Sequence, residues 1–244
     1  MKINRTLVIA TAGAALTVLG SGQAAMAATV TASSGHAGSS GSACSPSALV
    51  YVQSRVDLAV AHGELTITQL TATLAQRGRV SDPHRAALQA LFTSDASGLQ
   101  AVNATVHADT TCKQAVTDGR AVVSGFRVYM LLSPQAHLVM ASDTGTFAAG
   151  RLAAAEPKLQ AGIDAITDLT KRAQAQAAFN DLVAQTTTAT DDFAGVADTV
   201  LALKPADMPA GQTALAAEHA KVTSGRAALA AALSDAKTIG SLLV

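Results

Sequence analysis

Between Leu138 and Leu169 the chain keeps a row of small or apolar residues at alternating steps of three and four: Leu138, Ala141, Gly145, Ala148, Leu152, Ala155, Leu159, Gly162, Ile166 and Leu169. An α-helix places such a row on one side, and its seven-residue repeat is the seam of a coiled coil. Phe179, Leu182, Thr186, Ala189, Phe193, Val196, Val200 and Leu203 repeat the pattern, and Leu215, Val222, Leu229, Ala236 and Leu243 follow seven apart. Many seam residues are Ala or Gly, which lets helix axes approach closely. Composition agrees: 49% of residues are hydrophobic but only 3% are aromatic, and there is no Trp. Alanine is the best helix former. The pattern predicts an all-α fold, an elongated antiparallel helical bundle with coiled-coil-like packing.

Capping residues divide the chain into six predicted helices. Ser45-Pro46 starts the first, which ends at Gly78, and Ser81-Asp82-Pro83 starts the second. Asp109-Thr110-Thr111 caps a third, with Val116, Gly119, Val123, Phe126 and Met130 as its seam. Pro134 marks a kink or break, because proline lacks the N–H of a helix interior and clashes with the preceding turn. A fourth helix follows, kinked at Pro157, with a turn near Lys171 before the fifth. That one ends before Lys204-Pro205, and Asp207-Met208-Pro209 opens the sixth. The expected organisation is two three-helix units in tandem, residues 44–133 and 134–244. In an up-down-up unit the starts of the first and third helices share an end. Cys44 and Cys112, the only cysteines, occupy those positions and are predicted to be bonded.

The N-terminus points to export. Lys2 and Arg5 precede an apolar stretch from Thr6 to Leu19, and Ala25-Met26-Ala27 fits a signal-peptidase site, so residues 1–27 read as a signal peptide. Residues 28–43, rich in Gly, Ser, Ala and Thr, read as a flexible linker. Cleavage would leave 15 basic residues against 17 acidic ones, a net charge of −2 with neutral histidines. That balance, at 14% charged residues, lacks the basic footprint of a nucleic-acid binder or of a protein held on anionic lipid. The expected localisation is secreted, extracellular or envelope-associated, with no stable membrane anchor after cleavage and a protein or cell-wall partner.

Chemistry-bearing residues are sparse. The histidines never fall at the spacing that puts two ligands on one helical face, and phosphate loops and nucleophile elbows are absent. Asp191-Asp192 point in different directions on a helix. No cofactor, metal or catalytic set is expected, and the chain is read as a non-enzyme. The richest segment, residues 125–137, holds Phe126, Arg127, Tyr129, Pro134 and His137. One reading is an interaction patch of Arg127, Tyr129 and His137 at a helix kink. The other is ordinary packing, with Phe126 and Met130 as core knobs, which is the commoner meaning of such a stripe.

The run FRVYMLLSPQAHLVMASD, with HADT at 107–110 and the closing GRAALAAALSDAKTI, resembles uncharacterised secreted alanine-rich helical-bundle proteins of high-GC Gram-positive bacteria. The resemblance implies export and an all-helical layout, and transfers no site residue. The functional expectation is a non-catalytic spacer or surface interaction module. The alternative is a carrier that holds an apolar ligand between helices near Pro134.

Overall fold

In a computed structural model, residues 44–244 are described, and the signal peptide and linker expected over 1–43 lie outside them. Every regular element among the described residues is helical. In order these are α1 (Pro46–Gln76), α2 (Asp82–Ala108), α3 (Cys112–Ser124), a π-turn (Val128–Leu132), α4 (Ser133–Ala153), α5 (Glu156–Asp164), α6 (Leu169–Phe193), α7 (Val196–Leu201), a 3-10 turn (Pro205–Asp207) and α8 (Ala210–Leu242). No helix among them is long and apolar enough to cross a membrane.

The caps carry the local logic. Ser45 accepts the N–H of Ala48 at the start of α1, with Pro46 in the first turn. The far end of α1 is closed from α2: the Arg85 guanidinium donates to the Leu74 and Arg77 carbonyls at 2.8 and 2.6 Å. Helix ends leave carbonyls without partners, and a buried one must find a donor. Buried Gln135 of α4 does this for α7, its Nε2 donating to Val200 O and Leu203 O at 2.6 and 2.9 Å.

Of the rows expected in the second half, those of α6–α7 and α8 bury as spaced, whereas the row from Leu138 is fully buried only at Leu138, Gly145 and Leu159 and ends in Leu169, which is exposed. Leu182, Thr186, Ala189, Phe193, Val196 and Val200 are all buried, as are Leu215 and Val222. On α8 the fully buried row continues through Gly225, Ala232 and Ile239, with Leu229 and Leu243 half-buried beside it. Helices α6 and α8 form the most extensive pairing and run antiparallel: Phe193 meets Gly225, while Ala175 and Leu182 cluster with Ala232 and Ile239. On α1 the buried row Val56, Val60, Gly63, Ile67, Leu70 and Leu74 also alternates steps of four and three.

Several boundaries differ from the sequence reading. On α3 the buried residues are Ala115 and Val122; of the expected row, Gly119 faces Val56 and Phe126 packs at Gly98, whereas Val116, Val123 and, in the π-turn, Met130 are exposed. The small Ala115 side chain admits the neighbouring helices, so the row of larger residues is turned outward. The interruption before Pro134 falls earlier, at Gly125 to Arg127, and the chain re-enters helix through the π-turn. Pro134 then lies at the second position of α4, directly behind the π-turn, where the helical hydrogen-bond ladder changes register. Pro157 opens α5 after a break at Ala154–Ala155. The turn placed near Lys171 lies at 165–168, and Asp168 caps α6 by accepting the N–H groups of Thr170 and Lys171. The fifth predicted helix is split at Gly195, whose φ of 70° a side chain would resist.

Glycines set how near the helices come. A Cβ at Gly145 of α4 would collide with the Phe193 ring, and one at Gly225 of α8 would lie 2.9 Å from it. Phe193 is thus seated between two glycine notches. Phe126 fills the notch at Gly98 of α2 in the same way, and Leu99 packs against Gly63 with 2.8 Å to the position of a Cβ.

Cys44 and Cys112 are bonded, with Cα atoms 5.5 Å apart. The bond joins the chain just before α1 to the first residue of α3. The largest buried cluster does not stop at Pro134: Val60, Leu99 and Val122 belong to the same cluster as Leu138, Phe193 and Leu215.

Two outcomes follow from this packing. Replacing both Cys44 and Cys112 by Ser should lower stability by up to about 4 kcal/mol on chain-entropy grounds. The melt should remain a single transition because the cluster is shared; a calorimetric scan in which α4–α8 outlast α1–α3 would show separate cores. Gly145→Ala should cost about 1–3 kcal/mol by overpacking against Phe193. Gly150→Ala in the same helix, with open space around it, should be neutral or add up to about 1 kcal/mol. Urea midpoints of the two variants test this, and equal midpoints would remove the notch from the account.

Candidate functional site

Pro134 starts α4 beside α8, and the two helices leave an open groove of about 340 Å³ between them. From α4 it is lined by Pro134, His137, Leu138 and Ala141, and from α8 by Gln212, Leu215, Ala216, His219, Val222 and Arg226. Leu215, His219, Val222 and Arg226 follow at steps of four, three and four, so one face of α8 supplies both apolar and basic side chains. Partial burial, then the charge of Arg77, lower the pKa of His137. The same two causes, in the same order, lower that of Arg226.

The residues singled out from the sequence are divided by the fold. His137 stands in the groove wall, while Arg127 and Tyr129 are not among its lining residues. Arg127 precedes the π-turn with a φ of 44°, and its Nε is shielded from solvent with no acceptor among the described residues. Tyr129 is 56% exposed on the π-turn. Phe126 is the packing knob the second reading expected, whereas Met130 is exposed.

A second grouping has no counterpart in the sequence reading. His84, in the first turn of α2, lies between a carboxylate of α4 and one of α7. Its Nδ1 lies 2.8 Å from Asp143 and its Nε2 3.3 Å from Asp198, so that when protonated the imidazole donates to both. The other Asp143 oxygen accepts the backbone N–H of Ser81 at 2.8 Å, so α4 also caps α2. Partial burial pushes the His84 pKa down, but the hydrogen bonds and charges of Asp143 and Asp198 outweigh it, and the net shift is upward. His107 makes a similar link to Asp57 at 2.8 Å, which holds the Asp57 pKa below its usual value. Asp95 is raised to about 6 by burial alone.

These arrangements bind helices together. No group of three or more His, Cys, Asp or Glu side chains among the described residues could hold a metal ion. Comparison with known proteins finds no matching family model, no matching curated protein and no matching solved structure. The candidate site is therefore defined by geometry alone, as the α4–α8 groove with its basic end.

The His84 link carries a pH signature. Its folded pKa stands above 6.5, so its contribution is fully present below the unfolded value and is lost as pH rises through the folded one. The stability of the wild type relative to His84→Gln should fall as pH rises from below about 6.5 through the raised folded pKa. Urea midpoints across that range test it, and a difference that does not change with pH would mean the imidazole gains nothing from the two aspartates.

Proposed function

We propose that the protein is a non-catalytic exported protein that acts at the cell surface or envelope through helix-surface contacts, as a spacer or interaction module. The observation that carries this reading is the outer face of α1. Tyr51, Leu58 and Leu65 stand seven residues apart and are 67%, 55% and 56% exposed. Ser54 and Ala61, both exposed, fall between them at coiled-coil spacing. The opposite face of the same helix is its buried row, so α1 carries two seams and uses one within the described chain. A large apolar row left on the surface is the usual mark of a contact surface. The disulfide supports the export reading, since such bonds form and persist in oxidising compartments. So do the leader-like residues 1–27 and the resemblance to secreted helical proteins noted above. The test is co-sedimentation with purified cell wall. The wild type should pellet, and Leu58→Lys combined with Leu65→Lys should stay in solution with unchanged helicity and melting temperature. Equal pelleting of the two proteins would exclude this face as the contact surface.

The groove favours a second reading, a carrier for an apolar ligand beside Pro134. Leu138, Ala141, Leu215, Ala216 and Val222 give it an apolar lining, and its volume falls at the lower end of the range, about 300–1,000 Å³, in which small molecules bind. Solvent extraction of the protein purified from culture medium, followed by mass spectrometry, tests this reading. A bound lipid or other apolar compound supports it.

A further inference from the structure

The outer row of α1 is more regular than its three large residues show. Tyr51, Ser54, Leu58, Ala61, Leu65 and Thr68 follow at alternating steps of three and four, and all are exposed. Ser47 before them and Ala72 after them, also exposed, extend the row by one step at each end. It holds no charged residue. Asp57 and Glu64, the acids nearest to it, are held toward α2: Asp57 meets His107 at 2.8 Å, and Glu64 accepts from Gln100 at 3.0 Å. Large and small side chains alternate along the row, with Ser54, Ala61 and Thr68 between and beyond Tyr51, Leu58 and Leu65.

We propose that this row is the interface of a two-fold dimer, in which α1 of a second copy of the chain lies antiparallel on it. The assignment rests on the first reading above, that the outer face of α1 is a contact surface, and adds the identity of the partner. Antiparallel helices set the two alternating positions of a heptad row against each other, whereas parallel helices set each against itself. With Leu58 against Ala61 of the second copy, the same two-fold sets Ser54 against its Leu65 and Tyr51 against its Thr68. Each of these layers joins one large side chain to one small one, and Ser47 against Ala72 closes the ends. Parallel pairing would crowd the large residues together and leave gaps at Ser54 and Ala61. A row that serves an unrelated helix has no reason to be its own complement, and a polyanion of the envelope would need cations that the row lacks. The area suffices. From Ser47 to Ala72 the exposed half of α1 is a strip about 38 Å long and about 16 Å around, at about 1.5 Å of rise per residue and about 10 Å of helix diameter. Covering it on both copies removes about 1,200 Å² from solvent, which reaches the range of about 1,200–2,000 Å² for a specific dimer.

The experiment is sedimentation equilibrium on the exported protein with its disulfide intact. An interface of this size should give a monomer–dimer equilibrium with a dissociation constant of about 1–100 µM. Leu58→Lys combined with Leu65→Lys should abolish the dimer and leave helicity and melting temperature unchanged, since both positions are exposed. Ala61→Phe enlarges an exposed apolar surface, yet it should weaken the dimer at least about tenfold, because it fills the space that Leu58 of the second copy takes. Direction is read by oxidising single-cysteine variants. A mixture of Ser54→Cys and Leu65→Cys should cross-link one variant to the other, and Ser54→Cys alone should not cross-link. A folded protein that stays monomeric well above that concentration range, or a dimer untouched by the lysine pair, would overturn the proposal. Self-linking of Ser54→Cys, or tighter association of Ala61→Phe, would overturn the antiparallel layers. Wall pelleting separates the dimer from the reading beneath it. A monomeric wild type whose pelleting is lost in the lysine variant would overturn the dimer alone. A dimer with equal pelleting of both proteins would support the pairing and remove the face from wall contact.

Discussion

Phe193 occupies a position that only α-carbons without a Cβ on two neighbouring helices leave open. With Gly145 on one side and Gly225 on the other, its ring ties α4, α6 and α8 together at one point. A chain with so few large side chains cannot build a broad core, so each of them must contact as many neighbours as it can. Dispersion attraction falls quickly with separation, and notches let the helices close to the distance where it counts. Alanine rows do the same with less depth. The groove beside Pro134 lies between α4 and α8, lined there by Leu138, Ala141, Leu215 and Val222.

The seams were legible because spacing alone encodes them. Leu182, Thr186, Ala189 and Phe193 bury as a row since each falls on one side of a regular helix, whatever its tertiary neighbours. Cys44 and Cys112 were legible for a similar reason: two helix starts on an up-down-up path come to the same end. The α3 row was not. In a helix of 13 residues the apolar residues Val116 and Val123 suggest one side, and the need for a small residue at the contact selects the other. Proline positions were visible, but their consequence was displaced. Pro157 opens α5 directly after the break at Ala154–Ala155, whereas Pro134 enters α4 behind the π-turn, several residues past the break at Gly125–Arg127.

The polar groupings lay beyond the sequence for a different reason. His84, Asp143 and Asp198 are separated by 59 and by a further 55 positions, and no local period relates them. The two walls of the groove likewise come from distant stretches, 134–141 and 212–226. The signal that did exist was on α8, where His219 and Arg226 continue the side of the helix that begins at Leu215. Arg127, Tyr129 and His137 had looked like one patch because they are close in sequence. The left-handed residue and the π-turn between them rotate the chain, and only His137 reaches the groove.

The bond between Cys44 and Cys112 has a mechanical meaning as well as a thermodynamic one. Tension applied through the chain upstream of Cys44 enters the sulfur bridge directly and leaves at Cys112, the first residue of α3. Residues 45–111 lie inside the covalent loop and outside the path of the force. Helices α1 and α2 cannot be drawn out by such a pull, and the length the chain can give up under load is shorter by that loop. The outer row of α1 therefore sits on the part of the protein that stretching leaves in place, and a contact made there would keep its shape while the remaining helices bear the strain.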